Sequence, residues 1–467
     1  MHLRFILVLI FLAWTAGCQV AGNRCAHHQQ ANSRIARQDA DSNESEKAEQ
    51  QVIRQVSYQD SEEVADRVEQ VSELSQVASG SNTLEEIEIL AVSLNPAIQK
   101  AKAELASLCG KRVQVGLYPN PRAGITGDEI NDDGNAGRYG VFYSQQMVRS
   151  NRLSLARKTV CAEIEAKETQ IAELQQRLLT DVRMAYYGLL VASRKSEVAG
   201  ELVNVSTQAV EATVSLVEAK EIAVTAQLQA EVELQRAMLN LKRAQNDVAA
   251  ARRRLAGFID EADLSLDSIG GSLEPNRRLV DIETRFQQLL DSSPEMHRLF
   301  ASVKVAKRNL DHQRALGVPD VTWRAGLAYD FGTNDWVPNF QVGMPITKYN
   351  RNQGAIAQAK NEIVAGEKAV EQKGLQLRQR MVATYRIYQD ARLQVELIAD
   401  EILPKAKKTL ELVSLGYSEG EVGFLDLLTA QRTYFTTNLE YINQLEILWQ
   451  QTILIEGMML DQNLDQF

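Results

Sequence analysis

The sequence predicts a mainly α chain with a small β part, built as two structural repeats. Three observations predict it. Landmarks recur at a nearly fixed offset: Pro119 and Pro319 are 200 residues apart, Asn151-Arg152 and Asn350-Arg351 are 199 apart, and Ala219-Lys220-Glu221 and Glu419-Gly420-Glu421 are 200 apart. Ala, Gln, Glu, Leu and Arg dominate while only 9 prolines interrupt 467 residues, a composition that favours long helices. The segments between helices alternate apolar and polar side chains with the period of two that a pleated strand requires. One spacing met three times marks a duplication. Each repeat reads helix, strand pair, very long helix, shorter helix.

The first 17 residues read as a lipoprotein-type signal peptide. His2 and Arg4 give a polar start, Phe5–Trp14 is an apolar run, and Thr15-Ala16-Gly17-Cys18 ends it. That run is shorter than the about 20 residues a spanning helix needs. Small residues directly before a cysteine resemble the bacterial signal for cleavage and lipidation, here at Cys18, although Thr15 stands where leucine is usual. The alternative is an ordinary signal peptide with an incidental cysteine. Residues 18–80 are polar and rich in Gln, Ser, Ala and Glu, a tether with a helical pattern around Ile53–Val77. Order begins at Thr83, whose spacing to Glu86 fits a capping box.

The two repeats are expected at 81–275 and 276–467. In the first, helices are expected over 83–117, 152–218 and 222–258, and in the second over 278–315, 351–418 and 424–460. The two shorter helices laid end to end match the long one, on the order of 100 Å at 1.5 Å per residue. Pro404 falls inside the second long helix and should kink it. Leu234, Leu241, Val248 and Leu255 recur every seven residues, interleaved with Ala230, Ala237, Ala244 and Ala251. Large and small knobs in alternation let antiparallel helices approach closely. Val160, Ile164, Ile171, Leu174, Leu178, Val182 and Leu189 draw the same stripe on the long helix. A coiled-coil scaffold explains these stripes equally well but not the signal or the strands.

The strands decide the class. In 321–331, Val321, Trp323, Ala325, Leu327, Tyr329 and Phe331 point one way, and Thr322, Arg324, Gly326, Ala328 and Asp330 the other. After the polar turn 332–335 the partner sets Phe340, Val342, Met344 and Ile346 against Asn339, Gln341 and Gly343. Val321, Trp323, Leu327, Tyr329, Phe331, Phe340, Val342 and Met344 are therefore expected to face lipid. In the first repeat Tyr139, Val141 and Tyr143 alternate, while 122–130 is nearly polar throughout. Strands of about 10 residues with aromatic ends have the length and girdle of a membrane barrel. Half-buried strands of a soluble sandwich also alternate and are the competing reading. Four strands cannot close, because the smallest barrels need about 8, so a barrel requires several chains.

Over 81–460 the chain resembles the TolC-like outer-membrane efflux proteins. The marks are Asn95-Pro96, 117–121 (Leu-Tyr-Pro-Asn-Pro), 350–357 (Asn-Arg-Asn-Gln-Gly-Ala-Ile-Ala), and Tyr417-Ser-Glu-Gly420 followed by 426–431 (Asp-Leu-Leu-Thr-Ala-Gln). The run at 350–357 is similar to the branch of cobalt–zinc–cadmium resistance channels. The resemblance implies a homotrimer with a twelve-stranded β-barrel and an α-barrel of coiled helices. It implies as partners a periplasmic adaptor (membrane fusion) protein, an inner-membrane transporter of the RND type, and outer-membrane lipid. It implies a gate and docking surface at the periplasmic tip, with Tyr417, Gly420 and Asp426 at the gate positions. A ring of Asp426 carboxylates would favour cations by electrostatics. The alternative is that Asp426 caps the helix after the turn. The first repeat departs from the pattern: Lys220 replaces the tip glycine and Ala226 the following aspartate, while Thr225 is retained. A Tyr417–Asp bond between the repeats is thereby lost.

The remaining chemistry excludes more than it offers. With 51 basic and 61 acidic residues the net charge is −10, without the concentrated basic face that nucleic acid requires. No phosphate loop, nucleophile elbow or histidine–carboxylate metal helix is present, so neither an enzyme, a cofactor nor a resident metal is expected. Of five histidines, His27 and His28 follow Cys25 in the tether, a spacing that reads as polar tether before soft-metal site. Cys109 lies ten residues before Pro119 and Cys161 ten after Asn151. In helices flanking one hairpin they fall at similar height, either as a disulfide or as two buried thiols.

Overall fold

The computed structural model describes residues 83–130, 137–259, 271–274 and 282–458. The signal, Cys18, the tether and the Cys25/His27/His28 group lie outside these residues. In chain order the elements are α1 (Leu84–Leu94), α2 (Pro96–Gln114), β1 (Arg122–Asp128), β2 (Arg138–Met147), α3 (Arg152–Glu218) and α4 (Val224–Ala256). Then follow α5 (Ile282–Ser292), α6 (Pro294–Leu316), β3 (Val321–Asp330), β4 (Asp335–Gly343), α7 (Gln353–Leu397), a π turn (Ile398–Ile402), α8 (Leu403–Ser418) and α9 (Phe424–Glu456). The order of each repeat is the expected one, and its helices carry the expected stripes. Val160, Ile171, Leu174, Leu178, Val182 and Leu189 are all buried, as are Ala230, Ala237 and Leu255 on α4. Among the described residues no helix is long and apolar enough to cross a membrane.

Three boundaries differ from expectation, each for a reason of backbone chemistry. The helix expected over 83–117 breaks at Asn95. Its first part opens with the Thr83/Glu86 capping box, and its second with the Asn95 side chain accepting from the Ala97 N–H at 2.9 Å. Pro96 takes the first helical position, where the N–H it lacks would have no helical partner. Pro294 does the same after Ser293 in the second repeat. In the long helix expected over 351–418, Pro404 acts through the five residues before it. The proline can neither donate to nor fit against the carbonyl of Asp400, and the chain widens there into the π turn. Both long helices begin after an asparagine in the left-handed region, Asn151 (φ 54°) and Asn352 (φ 60°).

A buried ion network ties the repeats together. Glu173 on α3, with no exposed surface, accepts from Arg177 and from Arg298 of α6, both at 2.7 Å. Arg177 also bonds Glu295 of α6 at 3.0 Å, and Glu295 pairs with Lys373 and Arg380 of α7 at 3.3 and 3.8 Å. One turn along, burial pushes the Asp181 carboxyl up to about 6, an effect the nearby Arg254 and Arg177 partly offset.

The four strands form one antiparallel sheet in the order β1-β2-β3-β4, so both hairpins pair through β2 and β3 within one chain. Asp320, buried where α6 passes into β3, fastens the base. It accepts from Gln146 Nε2 (2.8 Å) and the Arg149 N–H (3.1 Å) and pairs with Arg152 (2.6 Å).

Candidate functional site

Residues paired across an antiparallel ladder share a face, and the register gathers most of the large apolar side chains of the four strands onto one, with Phe142 and Val337 on the other. At mid-height Ile125, Val141, Leu327 and Pro338 form a row. Towards the hairpin tips Tyr139, Tyr329 and Trp336 form another, with the Tyr329 and Trp336 rings edge-on at 5.3 Å. Towards the helices, Tyr143 meets Trp323 at 5.5 Å. Most of this face lies open in the single chain: Ile125 is 81% and Phe340 72% exposed. An apolar band between two aromatic rows is the surface a lipid-facing strand presents. The opposite face carries Arg122, Asp128, Arg138, Arg324, Asp330 and Asp335.

The expected face residues Val321, Trp323, Leu327 and Tyr329 lie on β3, and Phe340 and Val342 on β4. Two do not lie in strands. Phe331 is the first residue of the turn, its ring against Tyr329 and Tyr139 at 5.0 and 6.0 Å. Met344 follows the end of β4, its Sδ accepting from Arg149 Nη1 at 3.3 Å. The strand lies earlier than its pattern suggests because the turn is tight. Asp330 Oδ1 accepts from the Gly332 and Thr333 N–H groups, Asn334 adopts φ 59°, and pairing resumes at Asp335. Pro338 interrupts the alternation and thereby hides Trp336, whose reach onto the face the sequence pattern missed.

At the far end of the helices, both repeats build one turn. The Lys220 and Glu221 N–H groups donate to the carbonyls of Val217 and Leu216, both at 2.9 Å. Gly420 and Glu421 donate to Tyr417 and Gly416 at 3.1 and 2.9 Å. This is a Schellman ending, which requires a left-handed residue after the cap. Gly420 (φ 75°) adopts it freely, whereas Lys220 (φ 62°) does so at a cost of about 1 kcal/mol.

The tip residues divide into two environments. Asp426 is exposed in the first turn of α9 and makes no side-chain cap bond, so it does not act as the helix cap. Thr225 is exposed in the first turn of α4. Tyr417 is buried, and its hydroxyl lies 2.7 Å from Thr213 Oγ1 of α3. Thr213 spends its own proton on the Ala209 carbonyl at 2.6 Å, so the tyrosine is the donor. Tyr417 therefore finds its partner within its own chain, in a threonine on the long helix for which the sequence holds no signal.

Cys109 and Cys161 are both thiols, and the disulfide is not formed. Lys111–Glu163 and Glu104–Lys167 ion pairs set α2 antiparallel to α3 and put the cysteines at one height. Equal height does not suffice, since a bridge also needs Cβ atoms about 3.8 Å apart and facing. Among the described residues no group of His, Cys, Asp and Glu is placed to hold a metal.

Residues 286–452 match the family described as Outer membrane efflux protein. Over 383 residues, 81% of this chain and 90% of the relative, the sequence is 22% identical to the Cobalt-zinc-cadmium resistance protein CzcC of Cupriavidus metallidurans. Among solved structures, the outer-membrane channel OprN superposes with a TM-score of 0.67 at 17% identity, covering 80% of this chain and 89% of that one. The outer membrane protein VceC of Vibrio cholerae gives 0.64 at 16% identity over 80% and 96%. CusC gives 0.64 at 17% over 81% and 92%. With the two-faced sheet at one end and the paired turns at the other, the chain has the fold of these solved outer-membrane proteins, and residues 286–452 are the part that matches the outer membrane efflux protein family.

Proposed function

We propose that the chain is the outer-membrane channel subunit of a tripartite efflux system, a passive homotrimeric duct whose cargo is divalent heavy-metal cations such as cobalt, zinc and cadmium. The observation that carries the duct is the sheet: one apolar face, one polar face, and two open edges on β1 and β4 that neighbouring copies would pair. The cargo rests on the likeness to the cobalt-zinc-cadmium resistance protein. In this reading 1–17 is removed, Cys18 carries the lipid anchor, 18–80 is the tether, and the repeats at 81–275 and 276–467 place the helical body in the periplasm. The lipid-facing residues then line the membrane. A periplasmic adaptor and an RND-type inner-membrane transporter supply cargo and energy, and the chain itself catalyses no reaction.

Deleting the protein and scoring growth on zinc, cobalt and cadmium beside a drug panel tests the cargo. Sensitivity to the metals alone is expected, and sensitivity to drugs alone would reassign it.

The tip is the proposed gate, with Lys220, Thr225, Tyr417, Gly420 and Asp426 at its end. Asp426 faces solvent, so three copies would place carboxylates around the passage and draw cations. Asp426→Ala is expected to lower cation preference in planar bilayers, and an unaltered conductance and preference would remove it from the gate. The Tyr417–Thr213 bond holds α8 against α3 where the passage narrows in this reading. Tyr417→Phe removes a buried bond of about 1 kcal/mol without changing packing. A higher open fraction in single-channel records is expected, and closed times equal to the parent's would count against the latch.

A further inference from the structure

The polar face of the sheet is graded along its height. Its row at the hairpin tips carries Asp128, Asp330 and Asp335 with Arg138, three carboxylates to one guanidinium. The next two rows hold no charged residue. Below them Arg122, Ser144, Arg324 and Gln341 stand in register, so two arginines of one chain share one cross-strand row. The row beneath is again uncharged, and Asp320 at the base is already engaged by Gln146, Arg149 and Arg152. Among the described residues neither Arg122 nor Arg324 has a carboxylate in ion-pair reach. The Arg324 guanidinium instead lies 3.7 Å over the Phe142 ring, which holds it to the wall with its charge uncancelled. A positive charge that pairs with no carboxylate among the described residues is available to whatever passes.

We infer that Arg122 and Arg324 form a positive belt inside the barrel that favours anions over bare divalent cations. The inference rests on the trimeric channel reading, which turns two arginines per chain into six, in two rings of three that the strand tilt offsets by about 6 Å along the axis. Twelve strands about 4.8 Å apart and tilted about 40° close into a backbone cylinder about 24 Å across. Arginines reaching about 6 Å inward bring their charge within about 6 Å of the axis, inside the about 8 Å screening length of physiological salt. No passing ion escapes the belt's field. A bare divalent cation is repelled at that level, and anions bound to it relieve the repulsion. The barrel thereby acts in series with the Asp426 level at the tip, with opposite sign.

The test is the reversal potential of the purified full-length trimer in planar bilayers across a potassium chloride gradient. The double variant Arg122→Gln/Arg324→Gln is compared with the parent and with the charge-preserving Arg122→Lys/Arg324→Lys. The change between variants is read, because the tip contributes equally to all three. The chloride-to-potassium permeability ratio is expected to fall at least about two-fold in the glutamine variant and to hold in the lysine variant. Arg122 is exposed, so Arg122→Gln alone should show part of the shift, with the trimer band checked beside the parent's. Conducting channels whose ratio is unmoved would overturn the belt while leaving the channel standing. A parent protein that conducts nothing would overturn both.

Discussion

Leu327→Arg is expected to abolish insertion of the protein into membranes. Leu327 sits in the middle row of the apolar face, between Val141 on β2 and Pro338 on β4. Three residues of β3 separate it from the tip and six from the base, roughly 10 and 20 Å, farther than the about 6 Å an arginine side chain reaches towards water. An arginine at the midplane of a lipid-facing strand costs about 2–4 kcal/mol, and three copies in one barrel cost about 6–12 kcal/mol, comparable to the whole stability of a domain. The same charge on the opposite face meets an aqueous lumen. Asn339→Arg, exposed on β4 with its side chain on the polar side, is the matched control. Refolding into lipid vesicles, followed by trimer band shift and protease protection, separates the two. Equal insertion of both variants would show that this face does not meet lipid, and the channel reading would fall with it.

Glu173→Ala is expected to lower stability by about 3–5 kcal/mol, the cost of breaking a buried pair from one side. The wild-type cluster holds two carboxylates, Glu173 and Glu295, against Arg177, Arg298, Lys373 and Arg380. Removing Glu173 leaves Arg298, a third exposed, without that partner, and leaves the nearly buried Arg177 with Glu295 as its carboxylate. Burial rather than ion pairing as such sets the magnitude. Glu165–Lys304 also joins α3 to α6 at 2.6 Å, but both side chains are about half exposed, and Glu165→Ala should cost well under about 1 kcal/mol. Thermal unfolding of the detergent-solubilised protein compares them directly. Melting temperatures that fall by equal amounts would contradict the argument.

The architecture was legible because its signals are periodic. The duplicated landmarks, the helix stripes and the alternation of 321–331 each sum many weak preferences along a segment, and all three are met in the structure. What escaped is set by pairs of residues far apart in the chain. Thr213 is 204 positions from Tyr417, and the Glu173 cluster draws on three helices. Nothing in the neighbourhood of any of these residues announces its partner. Trp336 was obscured more simply: Pro338 broke the alternation that would have marked the strand, although on an edge strand a proline is tolerated. At the tip the sequence showed that the glycine had become Lys220 but not that the turn would keep its shape regardless.

The two unsatisfied borders of the sheet have a genetic consequence. In the trimeric channel reading, a chain that can complete its hydrogen bonds only against two siblings has no stable solitary state in the bilayer, so insertion and assembly become a single cooperative event. One subunit damaged along β1 or β4 then spoils the cylinder for the other two. When intact and damaged chains are made in equal amount and mix at random, roughly one ring in eight is whole. Mutations along those borders should therefore behave as dominant poisons, while equally severe lesions that merely unfold the chain remain recessive.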